Sequence, residues 1–109
     1  MEEMISILNE IGLPFAYDHF AEGESPEPPF AVYLTPENDN FSADGTAFYK
    51  KKVIHLEVYT EIKDPALERK IEAVLIRHGL FFGKSEVWIP DEKLYEVLFI
   101  FEMEDEEDV

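Results

Sequence analysis

The chain has 109 residues, with 25 Asp and Glu against 9 Lys and Arg, a formal net charge of −16, and no cysteine. A chain of this length buries roughly two thirds of its unfolded surface around one core, and at 46% hydrophobic and 14% aromatic it is too apolar for the disordered class. Disulfide frameworks, thiol nucleophiles and cysteine-based metal sites are excluded, and the net charge opposes phosphate backbones and anionic lipid surfaces, so neither a sequence-specific nucleic-acid partner nor a membrane partner is expected.

Met4, Ile7, Leu8 and Ile11 recur at helical spacing and place one apolar face on a first helix, which Gly12 and Pro14 stop. Phe15 to Ala21 reads as a strand, Glu22 to Pro29 as a proline-rich loop, and Phe30 to Leu34 as a second, alternating strand. The polar, turn-rich stretch Pro36 to Gly45 is expected to be a long exposed loop. Lys50 to Thr60 sets Ile54, Leu56 and Val58 on one face of a third strand and His55, Glu57 and Tyr59 on the other.

Asp64 is placed as an N-cap and Pro65 at the first position of a second helix, which carries Leu67, Ile71, Val74, Leu75 and His78 at helical spacing before Gly79 caps it. Phe81 to Ile89 and Leu94 to Glu102 form two more strands across the turn at Pro90 and Asp91. In the last, Leu98 to Phe101 is apolar on both faces, as in an interior strand covered on both sides, or covered on one and met by a partner on the other. The order α-β-β-β-α-β-β predicts an α+β fold, an antiparallel-rich sheet of about five strands with two helices packed on it. Residues 1–103 form one domain on this reading, and 104–109 is a frayed acidic tail.

The acid is unevenly placed. Residues 1–49 hold ten acids and no Lys or Arg, residues 50–101 hold nine of each sign, and residues 102–109 hold the remaining six acids. Such an excess is either a solvated surface or one that faces something negative or receives something basic; composition alone does not choose.

Little in the chain carries catalytic chemistry. The serines at 6, 25, 42 and 85 make no nucleophile elbow, and the glycines at 12, 23, 45, 79 and 83 are isolated, so no phosphate loop exists. His19, His55 and His78 lack close metal-ligand spacing and read as surface or structural residues, His78 at a helix C-terminus. Asn40, Ser42, Asp44 and Gly45 imitate the start of a calcium loop, but Lys51 stands where its bidentate Glu belongs. The chain is therefore read as a non-enzyme without metal or cofactor. Phe41, Phe48, Tyr49, Phe81, Phe82 and Trp88 sit in or beside loops and strand ends, as core residues under a loop or as a surface for self-association.

Residues 30–75 carry a family resemblance. The Ala-Val-Tyr strand at 31–33, Asp-Asn-Phe-Ser-Ala-Asp at 39–44, Tyr-Lys at 49–50, Leu-Glu-Val-Tyr-Thr followed by Lys-Asp-Pro at 63–65, and Leu-Tyr-Glu-Val at 94–97 resemble the small proteins encoded between head-completion and tail-tube genes in siphophages and prophages of Gram-positive bacteria. The resemblance implies a tail terminator or head–tail joining subunit, an α+β protein that assembles into a ring, commonly a hexamer. Such a ring caps the tail tube and meets the head connector, and no catalytic residues belong to the role. Its partners would be copies of itself, tail-tube protein and connector protein, and its place the host cytoplasm during assembly and then the virion neck. The strong acidity and the acidic C-terminus depart from the family pattern.

A ring joins two different patches of one subunit. The cluster Lys50, Lys51, Lys52 could meet a neighbour's acids, and the loop 36–49, with Phe41, Asp44, Phe48 and Tyr49, is placed to reach across. These seven residues are the interface candidates. The competing reading is an acidic DNA mimic that occupies a basic nucleic-acid-binding site on another protein; the nine basic residues interleaved through 50–93 weaken it.

Overall fold

Two glutamates in its first turn, where they complement the helix dipole, open α1 (Glu2–Ile11), and all four of its expected core residues are buried. This computed structural model describes residues 2–43 and 47–104, with the backbone alone for 37–43 and 47–50. Gly12 follows α1 with φ 85°, the left-handed conformation that suits a residue without a Cβ. The remaining elements are β1 (Phe15–Tyr17), β2 (Phe30–Ala43), β3 (Ala47–Thr60), α2 (Pro65–Arg77), β4 (Phe82–Ile89) and β5 (Leu94–Glu104). They give the expected α-β-β-β-α-β-β order and an α+β fold.

In α2 the Asp64 side chain accepts a hydrogen bond from the Leu67 N–H at 3.1 Å, with Pro65 following it at the start of the helix. A cap of this kind is worth about 1 kcal/mol. Gly79, at φ 75°, ends the helix one residue past His78.

The five strands form one sheet in the order β1-β2-β3-β5-β4. Every pairing is antiparallel except β1 with β2. Parallel neighbours need a return connection rather than a tight turn, and residues 18–29 supply it. Asp18, at φ 68°, turns the chain out of β1, so the strand expected to run to Ala21 ends at Tyr17. The return passes over the sheet face opposite the helices, where Phe20 meets Phe30 edge-on at 5.4 Å.

Both helices cover the other face. Ile7, Leu8, Ile71 and Leu75 pack with Ile54, Leu56, Val58, Val97, Phe99 and Phe101, all at most 3% exposed. β5 lies inside the sheet, as its apolar run requires, but the run is covered on one side only: Phe99 and Phe101 are buried, while Ile100 between them is 38% exposed.

The largest departure from expectation is at 36–49. Instead of a loop, β2 and β3 continue as a hairpin with register from Glu37↔Val53 to Ala43↔Ala47. Between Leu34↔His55 and Glu37↔Val53 the register shifts, so that two residues of β2 oppose one of β3. Pro36 falls within this bulge, which is where a strand accommodates a residue with no N–H to donate. The polar composition of the segment reads as a turn locally, but pairing with 47–53 of β3, which continues straight from the sheet, carries it into the ladder. β5 also runs to Glu104, opposite Lys51, one residue into the expected tail.

Candidate interaction site

β5 accompanies β3 only as far as Lys51, and β1 touches β2 only at Ala31–Tyr33. Among the described residues, 40–43 and 47–50 therefore pair with each other alone and form a two-stranded arm. Phe41 stands opposite Tyr49, Ser42 opposite Phe48 and Asn40 opposite Lys50; one step nearer the body, Asp39 faces Lys51 and Asn38 faces Lys52. The fold thus gathers Phe41, Phe48, Tyr49, Lys50, Lys51 and Lys52 on one hairpin, while Asp44 lies outside the described residues. A ladder places its residues more rigidly than a loop would, because cross-strand register fixes which pairs adjoin.

At the foot of the arm lies a groove of about 670 Å³, lined by Lys51, Val53, Leu80, Phe81, Ile100 and Met103 with acids at its rim. Lys51 Nζ is 3.8 Å from a Glu102 carboxylate oxygen. The lysine expected to wait for a neighbour's acid therefore already meets an acid of its own chain, an exposed pairing of small energetic weight.

Lys63, Arg77 and Lys84 are likewise engaged with acids of the same chain. Lys63 pairs with Glu68 at 2.8 Å and with Glu86, while Lys84 pairs with Glu68 at 2.8 Å and Glu72 at 2.7 Å. Burial alone would raise the Glu68 carboxyl, but the hydrogen bonds from Lys63 and Lys84 outweigh it and hold it below its ordinary value. Those same contacts raise the Lys63 and Lys84 ammonium groups. This network fastens β4 and the entry to α2 together.

His78, expected at the end of α2, does more than meet the helix dipole. Its Nε2 lies 2.9 Å from Glu10 and its Nδ1 3.1 Å from Glu3, which ties both ends of α1 to the C-terminus of α2. The hydrogen bond with Glu10 is the main cause of a raised imidazole pKa, which burial opposes and Glu3 reinforces. Glu10 is lowered by His78 and then by Arg77, whose Nη2 is 3.0 Å away.

On the helix-free face the Tyr59 hydroxyl donates to Glu57 at 2.8 Å and lies 3.4 Å from Glu96, while its ring stacks on Phe30 with centroids 5.2 Å apart. Burial first, then the charge of Glu57, raises the Glu96 carboxyl, and burial together with the Glu57 hydrogen bond raises the Tyr59 phenol. His19 pairs with Asp18 at 2.9 Å in the open. Among the described residues no three His, Cys, Asp or Glu side chains converge on a point that would hold a metal, and no helix is long and apolar enough to cross a membrane.

The aromatic candidates divide. Phe82 packs on the core, its ring 5.7 Å from Phe99. Phe81 is 95% exposed, and Trp88 is partly exposed against Tyr95 at 4.9 Å. What the linear reading missed is β4 as an open edge of the sheet. No local signal marks an edge, since edge position is set by the strand order of the whole sheet.

No protein-family model matches the chain, and no curated protein matches it. Among solved structures the chain is similar to one from the virion of a native gene transfer agent particle, with a TM-score of 0.58 and 13% sequence identity over 90% of this chain and 82% of that one. At that identity the likeness is one of fold.

Proposed function

We propose that the chain is a structural subunit of a phage-like particle, and within it a neck protein: a tail terminator or head–tail joining subunit that forms a ring on the tail tube. The observation that carries the reading is the fold shared over nine tenths of the chain with a component of a gene transfer agent virion. The resemblance of residues 30–75 to siphophage neck proteins supports its finer part.

The geometry suits assembly. A ring is closed by two different patches, and the arm offers one patch that is continuous with a rigid sheet, so a neighbour that grips it is held in a defined orientation. Its foot carries Lys51 and Lys52, opposite Asp39 and Asn38 in the register. An acidic lining would also let DNA pass without adhering, because repelled phosphates slide where a basic wall would hold them.

The test is light scattering on the purified chain, alone and mixed with the tail-tube protein of the same particle. A closed ring in either sample, persisting at high salt, is expected. A chain that joins no assembly with tail-tube protein overturns the neck assignment, and salt-sensitive capture by a basic nucleic-acid-binding protein would instead show a DNA mimic.

A further inference from the structure

The two edges of the sheet are unequal. At one edge β1 is only three residues long, a short strand of the kind that discourages further pairing. At the other, β4 runs for eight residues in unbroken register with β5, from Phe82↔Phe101 to Ile89↔Leu94, with no bulge and no proline before Pro90. Its outer hydrogen-bonding side has no strand beside it among the described residues. Large apolar side chains gather on this same edge: Phe81 is 95% exposed, Val87 51% and Trp88 44%. An unbroken edge of this length, flanked by exposed apolar residues, is a template for strand addition wherever the incoming strand matches the charges of Lys84 and Glu86.

The strand also matches itself. Lys84 and Glu86 share the helix-side face, two residues apart and opposite in sign. If a second β4 runs antiparallel with Ser85 opposite Ser85, each Lys84 faces the other copy's Glu86. Phe82 then faces Trp88 on the same side, and on the other side Val87 faces Gly83, where a side chain would meet nothing within 4 Å. Slipping by two residues in one direction sets Glu86 against Glu86, and in the other Lys84 against Lys84, both repulsive. Only the register centred on Ser85 complements charge and shape together.

We propose that two copies of this chain join through β4, antiparallel about a two-fold axis at Ser85, and merge their two sheets into one. Across the axis the charges alternate from Lys63 and Glu86 of one copy to Lys84 and Glu68 of the other. The contact is isologous and closed, so it stops at two copies. It leaves the β2–β3 arm free and does not rest on the neck assignment.

The test uses the absence of cysteine from the chain. Ser85→Cys places its thiol opposite its own copy, with Cα atoms about 5 Å apart, within disulfide reach. In Val87→Cys the two thiols stand four residues out of register, about 14 Å apart, beyond that reach. Under mild oxidation of the purified chain, S85C is expected to convert to a covalent dimer at least about tenfold faster than V87C, given the distance limit for the bond. Light scattering is expected to show that Glu86→Lys, which faces Lys84 across the axis, halves the mass of the unmodified chain's assembly, from dimer to monomer or from paired to single rings, with unchanged circular dichroism. Equal linking of S85C and V87C, or a monomeric unmodified chain, overturns the proposal.

Discussion

Phe99 and Ile100 are neighbours on β5, yet one is fully buried and the other is 38% exposed. They stand for the two faces of the sheet. The helix-covered face is apolar in the middle and ringed by ion pairs, and its residues are placed by packing. The opposite face mixes Leu98 and Ile100 with Glu57 and Glu96, and among the described residues only 18–29 cross it. The same strand period thus builds a core on one side and a surface available to partners on the other.

The largest effect expected from this contrast is Phe99→Ala, which should lose about 3–5 kcal/mol, because a cavity opens where both helices press on the sheet. Chemical denaturation measures it, and a loss near that of an exposed residue would show that the helices do not seal this face. Glu68→Gln comes next. It removes the carboxylate that Lys63 and Lys84 share, and a loss of about 1–3 kcal/mol is expected for a charged hydrogen-bonding group at a buried position.

His78 tests the same covered side through pH. Its folded-state pKa is raised, so its contribution is fully present below the unfolded value of about 6.5 and is lost as pH rises through the folded value. Melting temperatures measured from pH 6 to 9 should therefore fall more steeply for the natural chain than for His78→Gln; parallel curves would remove the clamp from the account. The smallest effect is Ile100→Ala, expected within about 1 kcal/mol, as for surface sites generally. A loss rivalling Phe99→Ala in the isolated chain would mean that the open face is already covered.

Much of this was legible in linear form. The spacing of Met4, Ile7, Leu8 and Ile11 and the Asp64-Pro65 start of α2 are local features, and both helices formed where those features stand. The candidate residues at 41 and 48–52 were legible as a cluster but not as an arm. Pro36 and the polar residues after it read as a loop, because nothing nearby reveals that β3 offers a partner ladder or that a bulge admits the proline. Neither β4's edge position nor the clamp of His78 on α1 could be read, since each joins residues distant along the chain.

The sequence by itself determined the element order, the helix caps and the uneven division of charge, because periodicity, capping and composition act within a few residues. Only the tertiary structure decided which lysines are engaged by acids of their own chain, which aromatics are left outside, and which strand ends the sheet. Those depend on what packs beside each residue, and the amino-acid pattern of β4 reads the same whether its outer side is paired or open.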